Sequence, residues 1–226
     1  MKKYGVFDIL GPIMIGPSSS HTAGAARLGK IASAIAGGSI KEVTFLLHGS
    51  FGKTYKGHGT DKALVAGILG MEPSDVNLRD SMEIATEKGL KFTFKEADLG
   101  DEHPNTVKFL ILNSKNEHFE ITGSSIGGGS IKITNINGNE VEFTGEYPTL
   151  IICHKDVPGA VSKVADIVYK GNINIAFMKV YRHEKGKLAQ MVFEMDNELS
   201  TEILDEIKKV DAVVNLIIIN PIKKGE

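Results

Sequence analysis

The sequence predicts an α+β protein in two parts. Glycine clusters punctuate the first 147 residues, with helix-period and strand-like segments between them. Beyond Pro148 the pattern changes to a regular alternation of strands and amphipathic helices. At 226 residues, two small domains fit better than one, and Tyr147-Pro148 is the natural boundary, giving 1–147 and 148–226.

In the first part, Ser18-Ser19-Ser20 precedes an Ala-, Leu- and Ile-rich run, and Gly37-Gly38 follows it. Serine oxygens accept from the unpaired first-turn N–H groups and glycine ends a helix, so a helix is expected over about His21–Ala36. Glu42–Leu47 reads as a strand, and 48–61 as a long polar loop. Helices follow at about Lys62–Leu69 and Asp80–Lys88, then strands at Lys91–Lys95, Thr106–Leu112, Phe119–Thr122 and Val141–Thr144. In the second part, Thr149–Cys153 is a strand and Asp156–Gly159 a turn. Ala160–Tyr169 is an amphipathic helix closed by Gly171. Asn174–Arg182 and Leu188–Met195 pair as a hairpin around Lys185-Gly186. Ser200 caps a helix to about Lys209, and Val213–Ile219 is the last strand. The order βαββαβ is the ferredoxin-like arrangement.

Composition narrows the function. Twenty-six basic against 28 acidic residues leave a net charge of −2, without the basic excess that nucleic-acid binding calls for. No segment reaches the ~18 consecutive apolar residues of a membrane span, and Asp8, Gly11 and Pro12 interrupt the N-terminal apolar stretch, so a soluble, cytoplasmic protein is expected. Cys153 is the single cysteine, which rules out an internal disulfide or a multi-thiolate site; in an apolar strand it reads as a buried small hydrophobe. The seven histidines show no ligand spacing, so no metal site is expected in this chain.

Four segments can carry chemistry. Gly16–Thr22 sets three serine hydroxyls, His21 and Thr22 at a helix start, a favourable place for a carboxylate or phosphate; the plain alternative is one serine as the cap and the others as solvated loop. In Lys56–Asp61, Gly57 and Gly59 leave the His58 imidazole unshielded, while Thr60 and Asp61 either cap the next helix or orient a histidine; His48 can sit nearby. His103-Pro104-Asn105 is composed like an ordinary turn. Gly123–Ser130 is composed like a phosphate-cradling loop without the Lys-Ser/Thr of a nucleotide site; it fits a small-anion or amino-acid binding loop, or a tight crossing between strands.

Together these segments resemble the β chain of the bacterial iron–sulfur-dependent L-serine dehydratases. The resemblance rests on Gly-Pro-Ser-Ser-Ser-His-Thr-Ala-Gly (16–24), His-Gly-Ser-Phe-Gly-Lys-Thr-Tyr-Lys-Gly-His-Gly-Thr-Asp (48–61), His-Pro-Asn (103–105) and Gly-Ser-Ser-Ile-Gly-Gly-Gly (123–129), in that order. It implies a substrate-binding-like first domain, and the tail with Val157-Pro158-Gly159 is similar to an ACT domain, an amino-acid-sensing module. It implies β-elimination of water from L-serine, with His58 as the base that takes the Cα proton. Ser18, Ser19, Ser20, His21, Thr22, Thr60 and Asp61 would hold the substrate, with His103 and Asn105 near the cluster as gate or support. Ser124, Ser125, Gly127, Gly128 and Gly129 would form an anion or effector loop, and Val157, Pro158 and Gly159 an ACT effector loop. One cysteine cannot hold a 4Fe-4S cluster, so the resemblance places it on a separate α subunit, with a homodimeric contact through the ACT or first domain. The first domain is also similar to the intervening domain of some phosphoglycerate dehydrogenases, which supplies a competing expectation: a non-catalytic amino-acid sensor.

Overall fold

The computed structural model describes residues 13–182 and 184–220. The N-terminal stretch carrying Asp8, Gly11 and Pro12 lies outside them. The chain forms two compact units, divided between Gly138 and Asn139.

In the first unit a π-helical turn, Ser19–Gly24, runs directly into α1 (Ala25–Ile35), ended by Gly37 and Gly38 at positive φ. Strand β1 (Ile40–Leu47) leads into α2 (Gly49–His58) and, through left-handed Gly59, into α3 (Thr60–Ile68). A 3-10 turn (Val76–Asp80) and α4 (Ser81–Glu87) precede β2 (Lys91–Glu96), β3 (Thr106–Asn113), β4 (His118–Gly127) and β5 (Ser130–Ile136). The sheet is six-stranded in the order β2-β1-β3-β4-β5-β6, its last strand β6 being Asn139–Phe143; β1 is parallel to β2, and the β1–β3, β3–β4 and β4–β5 pairs are antiparallel. Phe45, Phe109, Ile121 and Ile133 are wholly buried, as are Leu28 of α1 and Leu64 of α3. Helices α1 and α3 cross at Gly29 and Gly67; a methyl on Gly67 would lie 2.1 Å from the Ala26 carbonyl oxygen.

Two expectations are corrected here. Residues 49–58 are a helix, not a loop. Three glycines among its ten residues disfavour helix, and burial overrides them: Phe51 is fully buried, and Gly52 lies against the Leu47 carbonyl too closely for any side chain. Residues 123–127 continue strand β4 past the expected end at Thr122, so of the alternatives for this segment it is the tight passage between strands that the structure has, into a strand, β5, that the sequence pattern does not show. Gly123 is there because a side chain would strike Ile133 and Leu28; the turn is Gly127-Gly128-Gly129, all at positive φ.

The second unit opens with β6 (Asn139–Phe143) and continues through β7 (Thr149–Lys155), α5 (Ala160–Lys170), β8 (Ile175–Arg182), β9 (Leu188–Met195), α6 (Thr201–Lys208) and β10 (Val213–Ile219). From β7 onward this is the expected βαββαβ order, in an antiparallel sheet β10-β7-β9-β8. Leu150, Ile152, Met191 and Phe193 on the sheet meet Val164 and Val168 of α5 and Ile207 of α6. Ser200 caps α6 by accepting from the Ile203 N–H. The segment after β6 is fixed to this sheet, for Thr144 N–H and Oγ1 both donate to Oε1 of buried Glu194.

Candidate active site

The π-helical turn and the first turn of α2 bring two of the predicted segments together. Ser18 is the N-cap: its Oγ accepts from the His21 N–H at 3.2 Å and lies 3.5 Å from His21 Nδ1. His21 Nε2 is 3.3 Å from Oγ of Ser50, and Phe51 presents its ring edge to the imidazole at 5.2 Å between centroids. On its other side His21 meets His58, the last residue of α2, at 4.8 Å and 77° between rings. Burial pushes the His21 imidazole below its usual pKa, and the neighbouring His58 pushes it the same way. One imidazole is therefore kept neutral beside a second that is exposed. An exposed imidazole held edge-on by a buried one can accept a proton while its neighbour orients it.

Ser19 and Ser20 are half-buried on the same turn. Thr22 is buried with no protein partner for its hydroxyl, against Gly16. Thr60 is fully buried at the start of α3, also with an unpartnered hydroxyl. Asp61 accepts from the Lys62 N–H at 2.8 Å, a bond along its own helix, and burial raises its carboxyl above the usual range. His48 caps α2 but its Nδ1 accepts from the Leu99 N–H at 3.1 Å.

The His103-Pro104-Asn105 turn lies against α2, with Pro104 so near Gly49 that a side chain there would come within 2.8 Å. The Phe51 N–H donates to the Pro104 carbonyl, and the Ser125 N–H to that of Asn105. His103 Nδ1 accepts from the Asn105 N–H at 3.1 Å. Ser124 and Ser125 are buried in β4: Ser124 Oγ meets Thr106 Oγ1, and Ser125 Oγ faces Gly24. The Gly129 carbonyl accepts from Nη1 of buried Arg27 at 2.7 Å. Sequence reasoning missed Ser50, Phe51 and Thr106; for Ser50 the available signal was its place two residues after His48, within a quoted segment.

In the second unit Val157 and Pro158 border a groove of about 180 Å³, with Lys155, Lys163 and Asp211. Gly159 caps α5 at a φ of 87°. Cys153 is half-buried rather than buried, because it lies on the sheet face opposite the helix-covered core, and burial raises its thiol pKa.

The first unit thus gathers a polar, histidine-centred cluster of side chains, and the second is a ferredoxin-like module of the ACT type. Residues 5–135 match the serine dehydratase beta chain family and residues 149–212 the ACT domain. The chain belongs to the serine dehydratase beta chain family. It is 43% identical over 216 residues to the probable L-serine dehydratase, beta chain, of Bacillus subtilis (strain 168), covering 96% of this chain and 98% of that one. It is 41% identical to the L-serine dehydratase, beta chain, of Peptoniphilus asaccharolyticus, over 93% of this chain and 96% of that one. It is also 28% identical to D-3-phosphoglycerate dehydrogenase of Bacillus subtilis (strain 168), over 87% of this chain but 37% of that one.

The iron–sulfur cluster associated with such dehydratases does not fit this chain's donors. A four-iron cluster needs three or four thiolates, and Cys153 is alone, with a thiol that burial keeps protonated. Among the described residues no three His, Cys, Asp or Glu side chains converge as metal ligands, and no helix is long and apolar enough to cross a membrane.

Proposed function

We propose that this chain is the β subunit of an L-serine dehydratase, and that its first unit supplies the residues that bind serine and take its Cα proton. The observation that carries this reading is the His21–His58 pair, built from two distant segments and flanked by Ser18 and Ser50. Loss of water from serine requires removal of a weakly acidic Cα–H, which needs a base held close to it. His58 is that base: it ends α2 between two glycines, exposed, with a neutral imidazole at its edge. The serine carboxylate is held by Ser18, Ser19, Ser20 and Thr22 at the positive end of the helix. Departure of the hydroxide is left to a separate α subunit, which carries the cluster. The product of elimination, an aminoacrylate, tautomerises and hydrolyses to pyruvate and ammonia. Two copies of the chain meet through the second unit, where edge strand β8 leaves Phe177, Met178 and Val180 exposed. The complex works in the cytoplasm.

Reconstitution with the α subunit under anaerobic conditions tests the assignment. His58→Ala should co-purify with the partner and lower kcat by about 10². An unchanged kcat removes His58 from the role. The relation to phosphoglycerate dehydrogenases favours a second reading, in which the chain senses an amino acid and controls a partner. In that case His58→Ala alters the response to effector and leaves basal turnover intact.

A further inference from the structure

Every carbonyl of the His103-Pro104-Asn105 turn is held. The Pro104 oxygen accepts from the Phe51 N–H at 3.3 Å, and the Asn105 oxygen from the Ser125 N–H at 3.0 Å. The third, that of His103, accepts from the Thr106 hydroxyl at 2.6 Å. Thr106 is fully buried and sits directly opposite Ser124 across the β3–β4 ladder, with the two side-chain oxygens 2.6 Å apart. A hydroxyl has one proton to give. The Thr106 proton is committed to the His103 carbonyl, so Ser124 is the donor to Thr106, and the chain runs Ser124 → Thr106 → His103. Outside it, the His103 ring accepts at Nδ1 from the Asn105 N–H, which places the proton of the neutral ring on Nε2.

We propose that Thr106 and Ser124 are positioning residues: they fix the turn that packs through Pro104 against the start of α2, where Phe51 meets His21, and they act on the reaction through His103, which that turn carries beside the site. The inference rests on the reading of this site as the serine-eliminating one. Removing the Thr106 hydroxyl leaves the Ser124 hydroxyl unpaired in a buried place and takes from the His103 carbonyl, on the exposed turn, its protein donor; a buried hydroxyl left without a partner seeks another at the expense of the strand and turn around it. Displacements below 1 Å at a supporting shell are enough to slow a reaction tenfold or more.

The test compares Thr106→Val, Thr106→Ser, His103→Ala and the Thr106→Val/His103→Ala double variant in the complex with the α subunit. Thr106→Val should lower kcat about tenfold, Thr106→Ser should stay within about twofold of the wild type, and Thr106→Val should cost nothing further once His103 is gone. Wild-type turnover in Thr106→Val, or an undiminished loss in the His103→Ala background, overturns the proposal. Where Thr106→Val does not fold, Ser124→Ala takes its place in the same cycle, with the same two outcomes. The histidine ¹⁵N spectrum of the β chain alone is a readout that needs no turnover. His103 should show one tautomer in the wild type and Thr106→Ser, and an averaged signal in Thr106→Val; an unchanged His103 signal overturns the inference. A wild-type complex that makes no pyruvate from serine defeats the functional reading, while the spectrum still decides the positioning role.

Discussion

His21 joins three influences on one side chain: a backbone N–H that binds Ser18, a ring shared between Ser18 and Ser50, and a second imidazole at its edge. Its lowered pKa has a consequence for stability. The unfolded chain takes up a proton on His21 near the ordinary pKa of 6.5, and the folded chain resists doing so until lower pH. The free energy that this residue contributes is therefore present above 6.5 and is lost as pH falls through the depressed folded value. Urea midpoints collected between about pH 5 and pH 8 should decline on the acid side, and His21→Gln should flatten that decline. An equal slope in the variant would show that other groups carry it. At this scale the sequence told much about the site, because Ser-Ser-Ser-His and Gly-His-Gly place polar groups next to a helix start and between glycines. It did not reveal Ser50 or the Thr106–Ser124 pair. Those depend on the turn in which α2 begins and on the register of β3 against β4, neither of which a local pattern encodes.

Among the elements, the crossing of α1 and α3 is the contact with least tolerance. Gly29 and Gly67 bring the two backbones together, and a methyl at Gly67 would press on Ala26 O at 2.1 Å and Lys30 N at 2.8 Å. Backbone cannot retreat as a flexible side chain does, so Gly67→Ala should destabilise by about 1–3 kcal/mol, read from the denaturant midpoint. Gly57 of α2 meets nothing within 4 Å and has no positive φ, so Gly57→Ala should stabilise by about 0.5–1 kcal/mol in the same measurement. The opposite signs separate a glycine required by packing from one that merely loosens a helix. The same distinction explains what was legible in the fold. The strands and helices of the second unit were placed within a few residues because alternation and helical period agree with the turn residues there. In the first unit, glycine was read as punctuation. At Gly52 and Gly123 it marks close approach inside an element instead, which is why glycine spacing alone reads α2 as a loop and does not show β5.

For the molecule as a whole, the question is where one folding unit ends and the next begins. Residues 139–148 go with the second unit. Within them Val141 and Phe143 are buried at 1% exposure, Thr144 gives both its N–H and its hydroxyl to Glu194, and Lys179 pairs with Glu142 at 2.7 Å. Glu194 is 7% exposed, and a carboxylate that loses two donors in such a place costs about 1–3 kcal/mol or more. The exposed Lys179–Glu142 pair adds little by comparison. A fragment of residues 139–226 should therefore unfold cooperatively and at higher urea than one of residues 149–226, by an amount in that range. Restoring only 144–148, with Thr144 present and β6 absent, should recover the part owed to Glu194. A Thr144→Val change in the longer fragment should remove only the hydroxyl's share of that part, since Val keeps the N–H donor. If the fragments starting at 139 and at 149 unfold at the same midpoint, the boundary at Tyr147-Pro148 is the thermodynamic one, and the contacts of Thr144 with Glu194 contribute nothing to the second unit's stability.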